Sequence, residues 1–459
     1  MTTSPLATID PARAWSPFEP GGGEPWDLPR IAHLHRRAGF AAPWAVLERD
    51  LQDGPDAAVA RLLKGEPTSG DGTPAAAFDS LLDRMGDELG ANATLPRLQS
   101  IWLYRMIFTP HPLRERMTLF WHNHFATSLA KVNNSSLMQR QNDLFRRHAL
   151  GHFKPLLTAI GKDPAMLVWL DSTANRKARP NENYAREVME LFTLGRGHYA
   201  EKDVQEAARA FTGWFLTRDE FQEVRAQHDD GPKTILGQTG PWDGGDIPRI
   251  LLDQPACAEF LVRKLVRQFV DEVETPPAAL IAPLAQAFRE SGYDIRVPVG
   301  TILRSNLFFD PEVRRKRVKS PVEFAVGTIR ALEVLKPTVK ADALAEFCGR
   351  MGQNLYAPPS VAGWDGGPAW ANSTTMLTRA NFVLALLSSD NDALGKRLDV
   401  SALAARHGRT KPGDVAAFLI DLLVQDAYEP KLRERIVAST TKPREAATLV
   451  LTSPEYQLA

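Results

Sequence analysis

The chain has little cysteine, no surplus of charge and no long apolar run, and each absence narrows what it can be. Among its 459 residues only Cys257 and Cys348 are cysteines, each in apolar helical surroundings and neither in a Cys-x-x-Cys pair. That excludes a zinc ribbon or a thioredoxin-like motif and fits two buried thiols in a reducing compartment. Lys plus Arg and Asp plus Glu both number 55, so the formal net charge is zero. No global field then draws the chain to nucleic acid or an anionic membrane, and neither is an expected partner. No stretch is apolar enough to span a bilayer. The opening "MTTSPLATIDPARAWSPFEPGGGEPW" has no basic segment ahead of an apolar core and no twin arginine. The expectation is a cytoplasmic protein without a signal peptide.

What is present is apolar periodicity. Hydrophobic residues make up 44% and charged residues 24%, enough for a substantial core. Residues 1–27, rich in Pro and Gly, read as an irregular arm. Residues 28–94 read as a small helical region that includes the linker "GEPTSGDGTPAAAF". Residues 95–459 read as the main helical domain, with helical spacing over Arg97–Phe108, Pro112–Ser128, Leu137–Ala149, Phe153–Trp169, Tyr184–Leu194 and Asp203–Phe215. Two short extended runs around His228-Asp229-Asp230-Gly231 predict a β-hairpin insertion at about 218–238. "YAPPSVAGWDGGPAWANSTTM" predicts a long Gly/Pro/Trp loop, and loops of that length in compact domains are commonly functional. The fold class expected is mainly α, a multi-helix, bundle-like domain.

Chemistry concentrates in a few stretches. In "LFWHNHFA", His122 and His124 sit in a run apolar on every side, so a helix there is buried and its imidazoles need partners. Two positions along a helix is a turn of about 200°, so the two rings share one metal only if the helix breaks. In "RPNENYAREVMELFTLGRG", Asn183, Glu187 and Glu190 form one polar stripe, with Leu194 in the same arc. Carboxylates on one helix facing histidines on another are how helical bundles build metal sites. In "EKDVQEAARAFTGWF", Asp203 and Glu206 fit a capping box, and Arg209 needs a carboxylate partner, for which Glu187 and Glu190 are candidates. His228, Asp229 and Lys233 sit at the expected hairpin tip, where they could cover a site. "KSPVEF" starts a helix, with Ser320 as cap, Pro321 first and Glu323 third; Lys319 beside it could bind an anion. Trp364 and Trp370 could stack on a substrate ring.

In their order, "LFWHNHFA", "NENYAREVMELFTLG", "DVQEAARAFTGW", "HDDGPKTILG", "VKSPVEF" and "PPSVAGWDGGPAWANSTTMLTRANF" resemble the bacterial family called domain of unknown function 1800. The resemblance runs from about Ile31 to the final "LTSPEYQ". One departure is Ala200, where a capping Ser or Thr is expected. The resemblance implies a mainly helical protein and supplies no reaction. It also implies a neighbour, since genes of this family often stand beside those of domain of unknown function 1501, which looks like alkaline-phosphatase-type enzymes.

The leading expectation is a metal-dependent enzyme. His122 or His124, with Glu187 and Glu190, would hold a divalent transition metal (Fe, Mn, Zn or Cu), redox chemistry being favoured over hydrolysis. Glu187, Glu190, Arg209 and His228 would serve catalysis; Lys233, Lys319, Trp364 and Trp370 would bind substrate. The alternative is a non-catalytic partner or maturation factor for a domain of unknown function 1501 protein, its polar groups forming a buried hydrogen-bond network. A metal-free hydrolase using Glu187 and Glu190 ranks last, because both approach from one side.

Overall fold

The computed structural model describes residues 9–334, 339–388, 393–395, 398–439 and 442–459. Among these, 25 α-helices and four short strands alternate with loops, so the fold is mainly α. Ten helices build or brace the candidate site: α1 (Leu28–Gly39), α2 (Leu95–Phe108), α3 (Pro112–His124), α4 (Ser135–His148), α5 (Glu182–Glu190), α6 (Glu201–Ala210), α7 (Pro255–Phe269), α8 (Pro321–Ala331), α9 (Ala341–Arg350) and α10 (Ser373–Leu387). Helix α3 packs against α1, α2 and α4, and α2 packs in turn against α8 and α9.

Helix α3 is buried nearly throughout, as an all-round apolar helix must be. Its one fully buried acid, Glu115, accepts from Arg146 Nε at 2.6 Å and from Trp102 Nε1 at 3.0 Å, so that charge enters the core already paired. The helix stops at His124, earlier than the periodicity suggested; Phe125 leaves helical geometry at φ −105°, ψ 50°. Helix α7 opens with Pro255 and buries Cys257, Ala258, Leu261, Val262, Leu265, Val266 and Phe269. Its other face carries Phe260, Lys264, Arg267 and Gln268, spaced for one helical stripe. Both cysteines are free and buried.

Two hairpins stand where one was expected. Strand β1 (Trp214–Thr217) pairs antiparallel with β2 (Glu220–Glu223), and β3 (Lys233–Ile235) with β4 (Gln238–Gly240). Both tight turns take left-handed backbone, at Arg218-Asp219 and at Leu236-Gly237, as the right-handed twist of two-residue hairpins demands. His228-Asp229-Asp230-Gly231 is therefore a connector between hairpins, not a tip.

Residues 9–27 of the expected arm hold one short helix, Pro11–Trp15, and dock against the body; residues 1–8 lie outside the described residues. Phe18 is buried, 5.1 Å from the ring of Phe309. Residues 351–366 form no regular element, so the long Gly/Pro/Trp loop exists but is shorter than the expected stretch, which ends in a short 3-10 helix, Gly367–Trp370, and the first turn of α10. Among the described residues no helix is long and apolar enough to cross a membrane.

Candidate functional site

The three residues His122-Asn123-His124 do three separate jobs. His122 Nε2 accepts from the backbone N–H of Tyr356 at 3.1 Å, so its proton belongs on Nδ1 and its free lone pair is spent. Burial holds its pKa down at about 3, which keeps the ring neutral. Asn123 Oδ1 accepts from Trp364 N at 2.7 Å. Both therefore pin the long loop onto α3. Gly363 makes that approach possible: its φ is +82°, and a Cβ there would run into Asn123.

His124 points into a different neighbourhood. Nε2 lies 3.1 Å from the carbonyl of Phe192, which can only accept, so Nε2 carries the proton. Nδ1 is then a bare lone pair, and Lys264 Nζ donates to it at 3.0 Å. Rings of Phe120, Trp121, Phe125, Phe153, Phe192 and Phe260 surround this imidazole. Burial first, and Lys264 second, push its pKa well below the usual histidine value. Lys264 also donates to the carbonyl of Leu191 at 3.2 Å. Among the described residues no carboxylate pairs with it, and burial, with Arg267 behind it, pulls its pKa down to about 7. The Phe260 ring, 4.9 Å away, opposes that shift by favouring the ammonium form.

Lys264 and His124 open onto a cleft of about 320 Å³ between α3, α7, the start of α8 and the Trp364–Trp370 loop. That volume is at the small end of ligand pockets, roughly 300–1,000 Å³. One wall is a buried ionic network. Glu323 pairs with Arg116 and, at 3.4 Å, with Arg317; Arg317 Nε reaches Glu272 at 3.2 Å. Arg37 lies behind it, donating to the carbonyl of Phe269 at 2.8 Å and to that of Val270. Burial, then Arg317, lowers the pKa of Arg37 and of Arg116. Ser320 caps α8 reciprocally with Glu323, as the sequence signalled, and Val322 N donates to Gln353 at 3.0 Å. The α8 N-terminus therefore reaches the cleft with these donors already used.

Most other residues singled out from sequence lie elsewhere. Glu190 accepts from Tyr199 at 2.5 Å and Arg196 Nε at 2.6 Å, bonds that lower its pKa. Glu187 is half-buried, and burial, then Glu190, raises its pKa. Neither lines the cleft. No group of three or more His, Cys, Asp or Glu able to hold a metal ion occurs among the described residues, so His122, His124, Glu187 and Glu190 do not form one. The continuous helix through both histidines keeps their rings on different sides.

Arg209 finds Asp229 (Nε–Oδ2 2.7 Å) and Glu206 (Nη1–Oε2 2.9 Å), not Glu187 or Glu190. It clamps α6 to the segment between the hairpins. His228 Nδ1 donates to the carbonyl of Thr212 at 2.7 Å, and Lys233 Nζ to the carbonyls of Asp229 and Gly231 at 2.5 and 3.0 Å. Helix α6 starts at Glu201 with Ala200 in the cap position; Asp203 accepts from Ala200 N at 2.8 Å, so Asp203, not Glu206, makes the capping contact. Lys319 is not free for an anion: Nζ donates to the carbonyl of Tyr456 at 2.6 Å and sits 3.5 Å from that ring's centre. Trp364 and Trp370 do line the cleft, both nearly buried.

Lys264, Asn123, Arg267 and the Glu272–Arg317–Glu323 network were not anticipated. The only trace of Lys264 in the sequence is a cation inside "EFLVRKLVRQFV", the pattern also of an ordinary amphipathic helix with a solvated face.

Fold and cleft together define a helical protein with a lysine-bearing polar pocket. The chain belongs to the family described as "Protein of unknown function (DUF1800)", whose model matches residues 33–458. No curated protein and no solved structure matches it.

Proposed function

We propose that the protein is an enzyme acting on a small polar substrate in this cleft, with Lys264 transferring a proton to or from it. The observation that carries the reading is the amine's company: one imidazole lone pair, one backbone carbonyl and, among the described residues, no carboxylate. Buried, with Arg267 near it and no carboxylate among the described residues to hold its charge, this lysine loses its proton near neutral pH, where general acid–base catalysis is most effective. His124 is a positioning residue, fixed in one tautomer by Phe192. A perturbed lysine in a cleft is a recognised mark of function.

The test is a titration followed by a ligand screen. Competitive acetylation of every lysine across a pH series should show Lys264 losing its proton near pH 7; an ordinary lysine titration there sinks the reading. A thermal-shift screen of small carboxylates, phosphates and sugars should then yield ligands whose effect disappears in a folded Lys264→Met variant. The metal-dependent alternative has its own assay. Near-stoichiometric metal in natively purified protein, lost in a folded His122→Ala/Glu187→Ala variant, would replace the lysine-centred reading.

A further inference from the structure

Resting on that reading, the geometry points to a substrate class and a covalent step. We propose that the cleft takes a small carbonyl compound carrying a carboxylate, a 2-oxo acid, and holds it as an imine on Lys264 with the carboxylate on Arg267.

A neutral primary amine has two N–H donors and one lone pair. At Lys264 two acceptors are in place, His124 Nδ1 at 3.0 Å and the Leu191 carbonyl at 3.2 Å. With both donors engaged, the free valence is the lone pair, and Lys264 lines the cleft. This is the arrangement of a nucleophile. Arg267 follows one turn along the same helix and lines the same cleft. Among the described residues it donates only to the carbonyl of Glu272, at 3.1 Å, so most of its fork is available to an anion. Around it the lining is balanced, Arg116, Arg267 and Arg317 against Glu272, Glu323 and Asp365, but Arg116 and Arg317 are paired to the two glutamates while Arg267 has no carboxylate partner among the described residues. A cleft of about 320 Å³ suits a short-chain acid.

The step balances without an oxidant or reductant. The lysine lone pair forms a C–N bond as the carbonyl π pair moves onto oxygen. That oxygen takes up both amine protons and leaves as water, and the second C–N bond closes the imine. His124 and Leu191 orient the amine at the start and release its protons as the reaction proceeds.

The experiment uses the full chain, pyruvate as probe and sodium cyanoborohydride to reduce any imine to a stable secondary amine, mapped by peptide mass spectrometry. At neutral pH, Lys264 should be alkylated at pyruvate concentrations at least tenfold below those needed at any other lysine. This comparison lies within the wild-type protein and needs no variant. Arg267→Gln should raise the half-saturating pyruvate about tenfold yet leave labelling by acetaldehyde, which lacks a carboxylate, unchanged. Labelling of Lys264 no faster than that of surface lysines overturns the inference. If acetylation still reports an amine that titrates near pH 7, proton transfer stands and only the imine falls; if Lys264 titrates as an ordinary lysine, both fall. Equal loss with pyruvate and acetaldehyde in Arg267→Gln removes the carboxylate from the substrate class.

Discussion

One amine makes a separable contribution to the pH behaviour of the folded chain. Lys264 loses its proton at about 7 in the folded protein, against 10.5 for an unperturbed lysine. Below about pH 7 the amine is charged in both states, and burying it costs stability in full. Between the two values the unfolded chain binds a proton that the folded chain does not, so stability rises with pH across that window. Urea denaturation between about pH 7 and pH 10 should therefore show a smaller rise for Lys264→Met than for the wild type. Parallel curves would mean that the amine is solvated and carries no perturbed charge. His122 is the contrasting residue: burial keeps it neutral too, but its lone pair accepts from a backbone N–H, so the ring holds the loop and meets no titrating partner.

At the scale of elements, the loop that closes the cleft is fixed by α3 through His122 and Asn123, and at Gly363 an added side chain would run into Asn123. Gly363→Ala meets both a left-handed φ and a steric block, so the loop should detach rather than adjust. The expected readout is faster proteolysis within residues 354–372 and a red shift in tryptophan emission, with helical circular dichroism retained; an unchanged digestion pattern would show that the contact is dispensable. This element also shows what the sequence made legible. The approximate helix positions, the Ser320 cap and the long loop followed from periodicity and turn chemistry, which act over a few residues. The spans ran long: Phe153–Trp169 is two helices, Phe153–Gly161 and Pro164–Trp169, and the helices read as Tyr184–Leu194 and Asp203–Phe215 end at Glu190 and Ala210. Two hairpins merged into one because Asp-Gly at 230–231 gives a turn signal even where the chain only bends between sheets. The cleft was invisible for a different reason. Lys264 meets His124 across 140 positions of chain, and no local pattern encodes that distance. Glu187 and Glu190 had the spacing of ligands but lacked the facing groups, since Tyr199 and Arg196 came to Glu190 instead.

Across the whole molecule, the N-terminal segment is part of the packed body. Trp15 Nε1 donates to the carbonyl of Leu280 at 2.7 Å, Pro17 bridges to Ser305, and Phe18 is buried against Phe309. Deleting the chain through Pro20 should cost about 3 kcal/mol or more, the range for losing a large buried aromatic. A lower urea midpoint checks this; an unchanged midpoint would make the segment an independent tail.

The two carbonyls that hold the reactive pair, Leu191 and Phe192, are neighbours at the end of α5, the helix whose other side packs on α6 and, through it, on β3. Losing that helix end would take the backbone acceptor from Nζ and from the His124 ring at once, so both groups depend on one short piece of chain for their orientation. Two consecutive carbonyls thereby align amine and imidazole together, the way one bracket squares two parts.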